Sequence, residues 1–357
     1  VKLKLRESVL VTTAGTIVAQ GIIKALKLAN SIESNRLQYR IVTTDESAEA
    51  AGLYRGDMGY LVPLIRSPDY FDTIIELCQR EDIRAVFVGA DEELLLMSEN
   101  QFMIENETHA IVITNPLNVI ETCVDKWRTY EFLKANGLPC PESALPDRHE
   151  EFLKEFGFPA VVKPREGHGS VHFFLVQNSE ETKYAFGAIR KAGWNPMIQE
   201  YIRDDGVEFT TGVTVSKEGD SVMSSIAMRR TLKGGQTYKA FIDDYDEVRE
   251  VAEKVALKLG AKGAINIQGR MDSGELRVFE INPRFSASCP MRATSGVNEP
   301  DIVFRNFVMN EKIKVERYRH LVCLRYWNEL YVPSETFEQT LLNQQVANND
   351  SFLENYF

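Results

Sequence analysis

Glu280, Asn282 and Arg284 occupy alternate positions of the segment FEINPRF, so on an extended strand their side chains leave the same face. A carboxylate and an amide oxygen placed this way suit Mg2+ or Mn2+, which take oxygen ligands together with water and phosphate. Gln268, on the apolar run INIQGR, could join them from an opposed strand of a hairpin. Arg284 would then bring a fixed cation to a transferring phosphoryl group. The carboxylate–amide pair by itself also reads as an exposed strand face. Pro283 and Arg284 after it weigh toward chemistry.

Three further groups have the makings of a nucleotide site. Lys163 ends the apolar strand AVVKP, where an ammonium is costly unless an anion meets it; Lys126 opens a helical stretch. Gly167, Gly169 and Ser170 follow Lys163, and glycines let backbone N–H groups approach a phosphate closely while a serine adds a hydroxyl donor. No GxxxxGK[ST] occurs, so this is not a Walker loop. The extended run around Glu200, Tyr201 and Ile202 can offer backbone groups to an adenine edge, and Glu208 can accept from ribose hydroxyls. Singly, these features are also surface lysines, an ordinary hairpin turn and an exposed acid. Their order along the chain is the signal.

Composition narrows the field. The chain has 357 residues, 44% hydrophobic and 26% charged, with 41 basic against 52 acidic side chains for a formal charge of −11. Two or three lobes with true cores are expected, and the acidic balance argues against a nucleic-acid-coating protein. No stretch is apolar for long enough to span a bilayer, and the N-terminal segment turns polar too early for a signal peptide, so no membrane partner is expected. Five scattered cysteines without a CxxC argue against a disulfide framework or thiolate zinc site, and a reducing cytoplasm is the expected compartment.

The elements that must position these groups fall into two textures. Strands at 9–12, 39–43, 85–89 and 110–114 alternate with helices at 17–26 and 70–80, the pattern of a parallel, doubly wound α/β sheet. A helix is expected over 123–135. Beyond it the chain is β-rich α+β, with strands at 160–163, 171–177, 196–202, 208–215 and 221–229, a helix at 246–259, and strands 263–271 and 276–281 joined by a turn at Asp272–Gly274. The polar end from Asn343 reads as a loosely held tail.

From Lys126 to Arg284 the order CVDKWRTYEFL, PAVVKP, QEYI, GVEFTTGV, INIQGR, VFEINPRFS resembles the ATP-grasp superfamily, in its carbamoyl-phosphate-synthetase-like branch. VLVTTAGTIVAQGIIKAL and IRAVFVGADEELLLMSE resemble the Rossmann-like pre-ATP-grasp domain that accompanies it. The resemblance implies a pre-ATP-grasp domain over 1–120, a small lobe over 121–197, a larger lobe over 198–340 and a tail over 341–357. It implies that Lys126 and Lys163 hold ATP phosphates under the Gly167–Ser170 loop. Groups near Glu200, Tyr201 and Ile202 would read adenine, and Glu208 would bind ribose. Gln268, Glu280 and Asn282 would bind Mg2+ or Mn2+, and Arg284 would stabilise the leaving γ-phosphate. The activity implied is a ligase that joins small-molecule carboxylate and amine substrates through an acyl phosphate. Homodimers are common in the family.

The chain departs from that branch in having one ATP-grasp unit, no glutaminase region, and Ala287 where the branch has a basic residue. Arg292 is the expected substitute anchor for the acceptor carboxylate, and the basic segment 229–237 the expected mobile closure. Two rivals are weighed. An NAD-dependent oxidoreductase fails on spacing, since Gly15 and Gly21 form no GxGxxG and Asp45 lies too far on. A non-catalytic nucleotide-binding module would not need three metal ligands. His168 and His172 flank a glycine loop, not a helix, so zinc-helix logic does not apply. Cys289 has no partner histidine and is expected to pack.

Overall fold

Consecutive apolar residues at 9–11 require a strand covered on both faces, because neighbouring side chains leave on opposite sides. The computed structural model of the chain describes residues 4–167, 171–202, 207–326, 328–347 and 350–354. In it Val9 and Val11 enter one hydrophobic core and Leu10 another. That strand is β1 (Leu5–Val11), followed by α1 (Ile17–Ser31), β2 (Leu37–Asp45), β3 (Met58–Leu61), α2 (Tyr70–Arg80), β4 (Ile83–Phe87), α3 (Leu94–Glu99), α4 (Gln101–Thr108) and β5 (Ile111–Ile113). The five strands run parallel in the order β3-β2-β1-β4-β5. α1 packs on one face and α2, α3 and α4 on the other.

The expected helix over 123–135 is two: α5 (Leu117–Val124) and α6 (Lys126–Ala135). Asp125 between them is extended and caps α6, its carboxylate accepting from the Trp127 amide at 2.8 Å. A short acid serves an N-terminus better than a helix interior, so it breaks the run.

Next come β6 (Ser143–Ala144), α7 (His149–Phe156), β7 (Ala160–Pro164), β8 (Phe174–Val176), α8 (Ser179–Lys191) and β9 (Pro196–Glu200), with strands in the order β6-β9-β7-β8. Alternation divides β7 and β9 by face. Ala160, Val162 and Ile198 pack under α7 and α8, which turns Val161, Lys163 and Gln199 toward a cleft on the other side.

The larger lobe holds β10 (Glu208–Val215), β11 (Val222–Lys233), β12 (Gln236–Ile242), α9 (Asp246–Leu259), β13 (Gly263–Asp272), β14 (Glu275–Asn282), α10 (Cys289–Ser295), α11 (Glu299–Phe307) and β15 (Leu321–Leu324), in the antiparallel order β14-β13-β10-β11-β12-β15. The β13–β14 turn places Ser273 and Gly274 at positive φ. α9 covers one face of this sheet. On the other, α10 and α11 share a core with α1 of the first domain, so the two sheets are bolted together through helices.

The C-terminal segment differs from expectation. After β16 (Leu330–Tyr331) and α12 (Ser334–Asn343), β17 (Gln345–Ala347) pairs antiparallel with β3, and β18 (Phe352–Leu353) pairs with β16. Val346 is buried there. One apolar residue in a polar run is a weak signal, but an open sheet edge supplies the hydrogen bonds. No helix among the described residues is long and apolar enough to cross a membrane.

Candidate active site

The cleft between the two lobes has a volume of about 550 Å3. Its small-lobe wall is β7, β9 and the segment after β7; its floor is the polar face of β10, β11, β13 and β14; Glu92 reaches it from the first domain.

The register of the floor follows from pairing. Gln268 stands opposite Glu280, and Asn266 opposite Asn282, with a bulge after Gln268. Glu280 and Asn282 are on one side of their strand, and the Asn282 amide donates to Glu280 Oε1 at 3.1 Å. Asn282 Oδ1 in turn accepts from Arg284 Nη2 at 3.2 Å. Gln268 faces the same cleft, but its Oε1 accepts from Arg230 at 2.6 Å. The Glu280 carboxylate suits a hard divalent ion, whereas the Asn282 oxygen would first have to leave Arg284 and the Gln268 oxygen would have to leave Arg230.

Arg230 is a residue that sequence reasoning placed only within a basic loop. It lies at the end of the buried part of β11, opposite Glu208. Its Nε and Nη2 both donate to Glu208 Oε1, at 3.0 and 2.7 Å, and Arg270 donates to Glu208 Oε2 at 3.3 Å. Oε1 is thus saturated, and Glu208 has Oε2 to offer a ribose. The segment 229–237 is a β-hairpin whose strands continue to Lys233 and restart at Gln236, and Leu232 and Gly235 line the cleft.

Two ammonium groups approach from the small lobe. Lys126, at the first position of α6, donates its side chain to the Gly167 carbonyl at 2.5 Å and its backbone N–H to Arg165 O at 2.8 Å. Arg165 is held by both Asp125 oxygens, at 3.1 and 2.5 Å, so cap, loop and lysine form one unit. Gly167 has φ +85, a conformation that favours glycine. Gly169 and Ser170, together with His168, lie outside the described residues. Lys163 is 7% exposed, and its ammonium donates to Gln199 Oε1 at 2.8 Å. Burial and then Lys126 push its pKa down to about 7, while Glu280 pulls upward.

Glu200 spends its backbone N–H on Glu142 O at 2.8 Å, and its carboxylate accepts from the Glu142 amide at 3.1 Å. The adenine-reading backbone is thereby narrowed toward Tyr201 and Ile202, both at the cleft wall.

Arg284 and Arg292 need revision. Arg284 donates to both oxygens of Asp91 at 2.6 Å and thus clasps the first domain. Burial acts to lower its pKa, but Asp91 outweighs it and raises it. A γ-phosphate would share this guanidinium with Asp91. Arg292 does not line the cleft. It is fully buried, bonded through Nη1 to Glu299 at 3.1 and 3.2 Å and through Nη2 to Asn266 at 2.6 Å and Thr210 at 3.2 Å. Gly212 leaves the room: a Cβ there would stand 2.1 Å from Arg292 Nη1 and Glu299 Oε1. The acceptor anchor expected at Arg292 is therefore a structural ion pair under α10 and α11.

A four-stranded and a six-stranded sheet close on one polar cleft, and residues 123–288, which supply most of both, match the ATP-grasp domain family. Residues 9–112 match the PylC-like N-terminal domain. Among curated proteins, the carbamoyl phosphate synthase large chain of Helicobacter pylori strain J99 is 24% identical over 286 residues, 74% of this chain and 26% of that one. Its counterpart from Pyrococcus furiosus is 26% identical over 281 residues, with the same shares. The chain thus spans about a quarter of the length of these relatives. Among solved structures, N5-carboxyaminoimidazole synthetase from Staphylococcus aureus superposes with a TM-score of 0.68 at 15% identity, covering 96% of this chain and 87% of that one. The biotin carboxylase domain dimer of Hydrogenobacter thermophilus 2-oxoglutarate carboxylase, solved with MgADP, ADP and bicarbonate, gives 0.67 at 19% identity, covering 92% and 79%. These likenesses establish the fold.

Proposed function

We propose that the chain is an ATP- and Mg2+-dependent ligase that activates a carboxylate as an acyl phosphate for attack by an amine. The observation that supports this most directly is the convergence of Glu280, which Asn282 holds by a hydrogen bond, with Lys126 and Lys163 on one cleft. Lys163 is a buried cation whose side-chain hydrogen bond goes to a neutral amide, Gln199, which is the arrangement an anionic ligand completes. Gln268 joins the metal site once Arg230 turns to phosphate. The ribose falls to Glu208 Oε2, the adenine to Tyr201 and Ile202 beside Glu200, and the loop of Gly167, Gly169 and Ser170 covers the phosphates.

In the first step a carboxylate oxygen attacks the γ-phosphorus as the bond to ADP breaks. Lys126, Lys163 and Arg284 hold the charge that develops, and the walls exclude water from the labile product. Bound Mg2+ would neutralise and orient the phosphates from Glu280 and Asn282. In the second step the amine nitrogen attacks the acyl carbon, phosphate leaves, and the nitrogen gives up its proton. A homodimer is the proposed assembly, in keeping with the dimeric biotin carboxylase domain, and light scattering tests it.

The deciding experiment is a screen of amino acids and other carboxylates for Mg2+-dependent phosphate release, with hydroxylamine present to trap an acyl phosphate as the hydroxamate. One acid that yields hydroxamate and ADP in equal amounts supports the reading. Nucleotide binding without ADP formation from any acid would favour the passive module.

A further inference from the structure

Three neighbouring strands bring one side chain each to the phosphate wall. Ser143 on β6 stands opposite Gln199 on β9, and Gln199 opposite Val161 on β7. Lys163 is two residues beyond Val161 and shares its face. Its ammonium donates to Gln199 Oε1 at 2.8 Å. The other end of the amide is also fixed: Nε2 donates to Ser143 Oγ at 3.0 Å, and that hydroxyl donates to Pro141 O at 3.3 Å. A flipped amide would set NH2 against the ammonium, so the chain of bonds has one sense. Ser143, Gln199 and Lys163 are each at most 7% exposed.

Other chemistries at position 199 would behave differently. A carboxylate would pair with Lys163 in a buried setting and cancel its charge before a nucleotide arrived. An apolar side chain would leave the ammonium undirected against Lys126, whose repulsion acts on it. An amide aims the ammonium and leaves its charge intact, with the Phe279 ring 5.8 Å away as a second soft neighbour. We propose that Gln199 is a positioning residue for nucleotide binding, presenting Lys163 to the polyphosphate without neutralising it. This rests on the reading of Lys163 as a phosphate-binding residue.

Calorimetric titration of the full chain with Mg2+–ADP and with adenosine tests it. ADP affinity should fall about tenfold in Gln199→Leu and about thirtyfold in Gln199→Glu, the size of losing or inverting one charge-assisted contact. Adenosine affinity should stay at the wild-type value in both. In a Lys163→Met background Gln199→Leu should cost nothing more, because the interaction it serves is gone. Ser143→Ala, which unpins the amide without touching Lys163, should cost about twofold to threefold and serves if the position-199 variants do not fold. Equal losses for ADP and adenosine, or an undiminished loss in the Lys163→Met background, would mark Gln199 as structural only and overturn the proposal. If Lys163→Met weakens ADP while Gln199→Leu and Ser143→Ala leave it unchanged, the proposal also fails. Wild-type ADP affinity in Lys163→Met would instead remove the phosphate reading of Lys163 itself.

Discussion

Arg292 and Lys163 are cations on opposite sides of the same problem. Both are taken out of water, Arg292 completely and Lys163 to 7% exposure. Arg292 meets a carboxylate, an amide oxygen and a hydroxyl; Lys163 meets the oxygen of a neutral amide. The first charge is balanced by the chain, and the second is left for a ligand. The lesson is that burial of a charge does not announce function. The sign and charge of its partner do.

Breaking the balanced end should have the largest effect. Arg292→Met leaves Glu299 buried without its partner and should cost about 3–5 kcal/mol of stability in urea unfolding, with much of it recovered by adding Glu299→Leu. Lys163→Met should cost less than about 1 kcal/mol in the same experiment, since it removes an uncompensated buried charge. Similar losses at both positions would dissolve the comparison.

At the open end the effect should appear in chemistry. Glu280→Ala should reduce Mg2+-dependent ADP release at least about a hundredfold while the melting temperature holds, measured by a coupled assay on the acid found by the screen. Turnover near wild type would contradict the metal role. Arg284→Ala should lose turnover too, but also stability, because it unfastens Asp91.

A smaller change sharpens the balanced end. Gly212→Ala sets a methyl against Arg292 and Glu299 and should cost about 1–3 kcal/mol by overpacking. Differential scanning calorimetry would show it, and no shift in melting temperature would mean that the helices yield there.

The smallest effect is in pH. Lys163, with a pKa pushed down to about 7 by burial and by Lys126 on α6 against the pull of Glu280 on β14, is charged below that value and neutral above it. Nucleotide favours the charged form, so affinity is present at low pH and lost as pH rises through 7. ADP should bind roughly eightfold more weakly at pH 8 than at pH 6.5, the ratio of charged fractions. The same titration of Lys163→Met should be flat in comparison, and parallel curves would remove Lys163 from the binding step.

Much of this was legible before the fold. The helices at Tyr70–Arg80 and Asp246–Leu259 and the strand Glu208–Val215 have the bounds that periodicity required, because a repeat of 3.6 or 2 acts on adjacent residues. The shared face of Glu280 and Asn282 follows from the same period of 2. Asp125 was harder: a capping acid inside a helical run looks like an exposed helix position until its partner Arg165, 40 residues away, is seen. The docking of β17 on β3 was hidden because edge pairing uses backbone groups, which every residue has.

The order of residue types along the chain therefore determined which chemistries were available: oxygen donors for a hard metal, ammonium groups for phosphate, glycines for a close backbone. It could not say which of several arginines would meet solvent, substrate or an internal acid. Arg284 finds Asp91 across 193 residues, and Arg292 finds Thr210 across 82. A charge acts on whatever lies within a few ångströms, and only the folded chain decides what that is.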